Sequence, residues 1–230
     1  MNSAPGSTPV WLFDLDNTLH NTSARIFPRI NASMTAYIAE HLQLSSAEAN
    51  SLRMHYWQRY GATMLGLTRH HGTDPHHFLH HTHQFPDLRQ LVIFEREIRD
   101  MLRRLPGRKL VVSNGPRAYV TALLGEMKIL QRFERVCGVE DLGLYPKPQL
   151  KGFRHLLHDL RLPASRCILV EDSLDNLRAA KKLGMRTVWI SRGRGKPAYV
   201  DVKLRSVTEI RRNTQAIVQA IADTTRQLGH

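Results

Sequence analysis

The 230-residue chain predicts a doubly wound α/β fold, a parallel sheet with a small helical domain inserted after its first strand. Three observations lead there. Short apolar runs rich in β-branched residues recur and end in polar or small residues, as strands buried on both faces of a parallel sheet do. Helical stretches separate those runs. Between residue 20 and about residue 88 the alternation gives way to helical periodicity alone.

Met1 to Pro9 is polar and rich in Pro, Gly and Ser. Residues 1–8 are expected to be disordered, and they lack the charged start and apolar core of a signal peptide. The first strand lies in Val10-Trp11-Leu12-Phe13 and runs into Asp14-Leu15-Asp16-Asn17-Thr18-Leu19. Further strands are expected at Lys109–Ser113, Arg135–Val139, Cys167–Glu171 and Arg186–Ile190. Helices fit Pro116 to Leu124, Pro148 to Leu160, and Ser173 to Leu183 with Gly184 as its stop. A last amphipathic helix is expected from about Thr208, with Ile210, Ile217 and Ile221 on the core. The core is thus assigned to 9–19 and 89–230, and the insert to 20–88. In the insert, Ile26, Ile30, Met34, Ile38 and Leu42 form a helical stripe. Ser45 and Glu48 suit a capping box, and Leu52, Tyr56 and Tyr60 continue the next helix. An insert at this point would cap the carboxyl ends of the strands.

Composition narrows the function. No apolar run approaches the roughly 20 residues that span a bilayer, so no membrane partner is expected. Cys137 and Cys167 have no metal-binding spacing, and a reducing cytoplasm is expected. The net charge of +13 suits an anionic substrate, or is a solvated basic surface. The basic residues are scattered and no nucleic-acid motif accompanies them, so nucleic acid is not the expected partner.

Asp14 and Asp16 stand at i and i+2, on one side of a strand's carboxyl end, where open α/β sheets bind ligands. Two acids so close repel each other, and a bound cation would relieve that repulsion. Ser113-Asn114-Gly115 follows the second core strand with a hydroxyl, an amide and a tight turn suited to a phosphoryl group. Lys147 is a cation held between Pro146 and Pro148, placed to neutralise a phosphate or a carboxylate. Glu171-Asp172-Ser173-Leu174-Asp175-Asn176 closes another strand with more oxygen donors. Asp14, Asp16 and Asp172 make an oxygen-rich set of the kind Mg²⁺ prefers.

These four segments, in order, resemble the signatures of the haloacid dehalogenase superfamily, over nearly the whole chain. The resemblance implies a Rossmann-like core and a phosphohydrolase. It implies that Asp14 is the nucleophile and Asp16 the acid and base. Mg²⁺ would lie on Asp14, the Asp16 backbone carbonyl and Asp172. Ser113, Asn114, Gly115, Lys147 and Asn176 would hold phosphate or substrate. Dehalogenases of the superfamily lack the second acid, because a halide leaves without a proton. Asp16 therefore implies phosphoryl transfer.

The insert resembles that of the pyrimidine 5'-nucleotidase subgroup. The matching pieces are Ile26-Phe27-Pro28-x-Ile30, Tyr56-x-x-x-Tyr60-Gly61-x-Thr63-x-x-Gly66-Leu67, and Asp87 followed by a helix over Leu88 to Leu105. His20-Asn21 departs from the Tyr-Pro of many relatives. Asn21, Ser23, Tyr60, Thr63 and Arg69 are candidate substrate contacts, each with a structural role as the alternative. The expected substrate is a small phosphorylated metabolite, with a pyrimidine nucleoside 5'-monophosphate first. Sugar-phosphate hydrolysis and phosphomutase activity remain open. A non-catalytic binding protein would be expected to have lost a catalytic residue, and Asp14, Asp16, Lys147 and Asp172 are all present. Seven histidines between His70 and His83 include the i, i+4 pairs His76/His80 and His77/His81, a spacing that can bind Zn²⁺ or Ni²⁺. A solvated polar helix face is the preferred reading of that stretch.

Overall fold

A computed structural model describes residues 8–215 together with Ile217 and Val218. The expected N-terminal disorder, apart from Thr8, and Ile221 lie outside the described residues. The chain forms two compact units. One holds the residues up to Asn21 and from Ile93 onward, and the other is Thr22–Val92.

The first unit is a six-stranded sheet of order β3-β2-β1-β4-β5-β6. Its strands are β1 Val10–Phe13, β2 Arg108–Val112, β3 Arg135–Cys137, β4 Cys167–Glu171, β5 Arg186–Ile190 and β6 Val202–Leu204. Every neighbouring pair is parallel. Apolar runs form the central strands because both faces of the sheet are covered. All of β1 and β4 is buried. Val10, Leu12, Leu110, Val112, Cys167 and Leu169 pack in one cluster with Phe153, Leu156 and Leu177. The alternate side chains Trp11 and Phe13 stack at 6.3 Å, and Phe13 meets the edge of Phe133 at 6.0 Å. Burial pushes the Cys137 thiol up to about 12 and the Cys167 thiol up to about 11.

Helices α6 Ile98–Arg104, α7 Arg117–Glu126, α8 Leu150–Asp159 and α9 Leu174–Lys182 also belong to this unit. Ser173 caps α9 by accepting a hydrogen bond from the Asn176 amide. A 3₁₀ turn at Val207–Glu209 leads into a last helical segment on which Ile210 and Ile217 are buried. None of the described helices is long and apolar enough to cross a membrane. The first strand leads to β2 and β3 on one side, and the chain then crosses to β4, β5 and β6 on the other. The order of the sheet reverses between β1 and β4, and the crevice at the carboxyl ends of such a pair is where a doubly wound sheet takes its ligand.

The second unit is helical: α1 Ile26–Leu42, α2 Ser46–Tyr60, α3 Thr63–His71, α4 Pro75–Thr82 and the single turn α5 Leu88–Leu91. The Ser45–Glu48 capping box is formed in both directions. Ile26, Ile30 and Ile38 are buried along α1, while Met34 and Leu42 are half-buried. A Cβ on Gly66 would lie 2.1 Å from the Tyr56 ring, so this glycine lets α3 rest on α2. Three of the six histidines of α3 and α4 are engaged by tyrosine hydroxyls. Tyr60, Tyr56 and Tyr37 hydroxyls lie 2.6, 2.8 and 2.8 Å from His70, His71 and His77.

The helix expected over Leu88 to Leu105 is instead two, α5 and α6. Val92 is extended, at φ −76° and ψ 124°, and the Ile93 carbonyl accepts from the Asn21 amide at 2.7 Å. Backbone groups that pair with a distant segment cannot also close helical turns. The break falls where the chain passes from one unit to the other.

Candidate active site

Four polar segments leave the carboxyl ends of the strands and meet around Asp14. The Asp14 amide continues the ladder by donating to the Val170 carbonyl at 2.9 Å, which fixes its backbone beside β4. Lys147 arrives from the loop between β3 and α8. Its ammonium donates to Asp14 Oδ1 at 2.6 Å, Glu171 Oε2 at 2.8 Å and the Val112 carbonyl at 2.8 Å. All three donor positions are therefore spent on this site. Asn114 holds the lysine loop. Its Nδ2 donates to the Lys147 carbonyl at 2.9 Å, and its Oδ1 accepts from the Lys147 amide at 2.8 Å.

Ser113 is fully buried, and its Oγ accepts from the Gly115 amide at 3.0 Å, which shapes the tight turn. Gly115 also admits the Tyr119 ring, since a Cβ there would lie 2.9 Å from Cδ1. Asn176 is buried in the first turn of α9, following Asp172 on the β4 side. Among the cap candidates, Asn21 lies in the sheet unit and is exposed, as is Ser23 in the helical unit. Thr63 is buried and donates to the Arg53 carbonyl at 3.2 Å. Arg69 lies over the Tyr60 ring at 5.8 Å.

Carboxylate oxygens of Asp14, Glu171 and Asp172 lie within 4.8 Å of one another. Burial, then the charge of Glu171, holds Asp14 well above the ordinary carboxylate value, against the pull of Lys147. Burial, then Glu171, pushes Asp172 up to about 7. Burial disfavours the Lys147 charge, but Asp14 and Glu171 outweigh it and keep the ammonium protonated. Three carboxylates thus face one buried ammonium, and the imbalance is what a divalent cation would remove. The donors are hard oxygens, so the set fits Mg²⁺. No other trio of His, Cys, Asp or Glu among the described residues converges in this way, and the histidine stretch forms none.

Asp16 faces different partners. His20 Nε2 and the Tyr119 hydroxyl both lie 3.1 Å from its Oδ1. Burial, then the charge of Asp16, raises the Tyr119 phenol far above its ordinary value, so it remains a donor. The sequence reading missed three members of the site. Glu171 was named in its motif but not as a metal donor, although its place beside Asp172 signalled it. His20 stands out in the sequence as a departure from the resemblance and not as a partner of Asp16, and Tyr119 belongs to no motif.

The loop that carries Lys147 is set by a glycine. A Cβ on Gly152 of α8 would lie 2.0 Å from the Tyr145 carbonyl oxygen, two residues before the lysine. Gly152→Ala is therefore expected to push this loop off the helix, at about 1–3 kcal/mol of stability, with a fall in turnover. Urea denaturation and steady-state rates check it. Unchanged values in both would show that the loop does not depend on this contact.

Residues 11–190 match the sequence model of the haloacid dehalogenase-like hydrolases. Phosphoglycolate phosphatase of Pseudomonas fluorescens is 25% identical over 96% of this chain and 84% of its own length. Drimenol cyclase DrtB of Aspergillus calidoustus is 34% identical over 34% of this chain, and the match spans 14% of that protein. Among solved structures, a HAD phosphatase from Thermococcus onnurineus shares the fold with a TM-score of 0.63, at 20% identity over 90% of this chain and 97% of the other.

Proposed function

The chain belongs to the haloacid dehalogenase-like hydrolase family, and from that premise we propose that it hydrolyses small phosphate monoesters through an aspartyl-phosphate on Asp14. One observation carries the reading: Asp14 shares the Lys147 ammonium with Glu171 and converges with Glu171 and Asp172 to within 4.8 Å, at the point where the sheet order reverses. An attacking carboxylate at an anionic phosphate needs positive charge around it. Mg²⁺ held by Asp14, Glu171 and Asp172, with the Asp16 carbonyl, would supply that charge.

Asp14 Oδ attacks phosphorus as the bond from phosphorus to the ester oxygen breaks. Asp16, protonated, gives its proton to that oxygen, and the alcohol leaves. Water then attacks the same phosphorus and loses a proton to Asp16. The acyl-phosphate bond breaks, Asp14 is regenerated and inorganic phosphate departs. Lys147 holds the Asp14 carboxylate, and Ser113 with the backbone of its turn faces the transferring group. An acid at position 16 supports an alkoxide leaving group over a halide.

For the substrate we favour a small phosphorylated acid or sugar phosphate, following the phosphoglycolate phosphatase that matches along nearly the whole chain. The pyrimidine nucleotide reading rests on the sequence of the insert. Several residues behind it are accounted for by packing: Gly66 admits Tyr56, and Thr63 is bonded to the Arg53 carbonyl. A phosphate-release screen over phosphoglycolate, sugar phosphates, UMP and CMP separates these candidates. Release is expected with Mg²⁺ and is expected to stop with EDTA, returning when Mg²⁺ is restored. Full activity in EDTA would overturn the metal assignment. Isomerised sugar phosphate without phosphate release would make the enzyme a mutase.

A further inference from the structure

We propose that His20 and Tyr119 are positioning residues that aim the Asp16 carboxyl at the leaving-group oxygen. The inference rests on the acid and base role of Asp16 given above. It starts from how the backbone folds after β1. Asn17 takes a left-handed conformation at φ 62°. The amides of Thr18, Leu19 and His20 then turn back onto the Leu15 carbonyl at 3.3, 2.9 and 3.4 Å. Asp16 and His20 form a bridge. This winding brings the imidazole, 3% exposed, beneath the carboxyl four residues earlier. Tyr119 comes from α7, 103 residues along the chain, and is buried as well.

Both side chains meet one oxygen. Tyr119 donates to Asp16 Oδ1, and His20 donates to it in its Nε2–H tautomer, each at 3.1 Å. A carboxyl that accepts two hydrogen bonds on one oxygen carries its transferable proton on the other, Oδ2. The two donors therefore choose which oxygen is the acid, and they fix the torsion that points it. A general acid must stand about 2.6–3.2 Å from the atom it protonates, and a misplacement of about 1 Å can cost on the order of 10²-fold. No atom passes from His20 or Tyr119 to the substrate. The proton that reaches the ester oxygen is that of Asp16, and Asp16 recovers it from the attacking water.

Position 20 is also where the chain departs from the nucleotidase resemblance, which has Tyr there in many relatives. In this chain that position puts an imidazole on the acid, 3.1 Å from Asp16 Oδ1.

The test compares two esters. p-Nitrophenyl phosphate releases an acidic phenol that needs little protonation. Glycerol 2-phosphate releases an alkoxide that needs it fully. In His20→Leu, kcat on both esters is expected to fall, with the alkyl ester falling about tenfold further. His20→Gln, which keeps a side-chain donor, is expected to recover most of that extra loss. Tyr119→Phe removes the other donor from a separate element, so it carries the test should His20→Leu fail to fold. It is expected to show the same bias against the alkyl ester.

Equal losses on both esters in His20→Leu and Tyr119→Phe would overturn the proposal, since a merely structural role lowers both together. Asp16→Asn separates that failure from failure of the acid assignment. If Asp16→Asn shows the alkyl bias and the other two do not, only the positioning role falls. If Asp16→Asn shows no bias, or the parent cleaves neither ester, the role of Asp16 falls and this inference with it.

Discussion

Lys147→Met is expected to lower the stability of the protein by about 3–5 kcal/mol, the usual cost of removing one partner from a buried charge pair, besides abolishing turnover. The lysine is 3% exposed, and its ammonium reaches Asp14, Glu171 and a backbone carbonyl. Methionine fills the same volume but leaves three carboxylates facing one another without a cation. For a chain of this size the loss lowers Tm by on the order of 10 °C. The pH dependence has a definite sign. Asp14 and Asp172 have raised pKa values, Asp172 at about 7. The folded state therefore holds protons that the unfolded state releases, and stability falls as pH rises from the ordinary carboxylate value through about 7. The deficit in Lys147→Met should be largest above pH 7 and should shrink in acid. Thermal melts of metal-free protein across pH measure it. A variant that melts within about 2 °C of the parent at pH 8 would show that the ammonium is not what balances the site.

Asp14→Asn should give the opposite pairing of effects, a folded protein without chemistry. Turnover is expected to fall on the order of 10⁴–10⁶-fold, as when another covalent nucleophile is removed. The amide cannot form the acyl-phosphate. Stability should hold, because Lys147 keeps Glu171 at 2.8 Å and one of the mutually repelling charges is gone. Phosphate release together with Tm decides the matter. Undiminished activity in Asp14→Asn with Mg²⁺ would refute the aspartyl-phosphate mechanism. The two variants together distinguish the group that reacts from the group that holds the site together.

Much of the sheet was legible in the sequence for a physical reason. β4 and β5 are short apolar runs, and burial on both faces leaves no room for polar interruption. β6 was missed because Val202-Lys203-Leu204 is three residues long, lies at the edge and is only partly buried. Its pattern carries no signal that a loop could not also show. The Leu88–Leu105 segment misled because its apolar spacing is compatible with a helix, while the break is imposed by a distant amide at Asn21. The same division runs through the site. Asp14, Lys147 and Asp172 could be named because each sits in a short motif at the end of a strand or in a fixed loop. Asn114 was legible as part of its turn, but its grip on both backbone groups of Lys147 depends on how two loops dock. Tyr119 could not be found, since nothing local marks a tyrosine in the first turn of an amphipathic helix as the partner of an acid far along the chain.

The two cysteines of the sheet have a use unrelated to catalysis. Cys137 ends β3 and Cys167 begins β4, and each thiol is buried with its pKa raised beyond 10. Thiolate is the reactive form, so neither sulfur is open to oxidants or alkylating reagents while its strand is closed. Each becomes a built-in clock for local opening, one near the margin of the sheet and one beside its centre. The difference between their labelling rates reads how cooperatively the two halves of the sheet come apart.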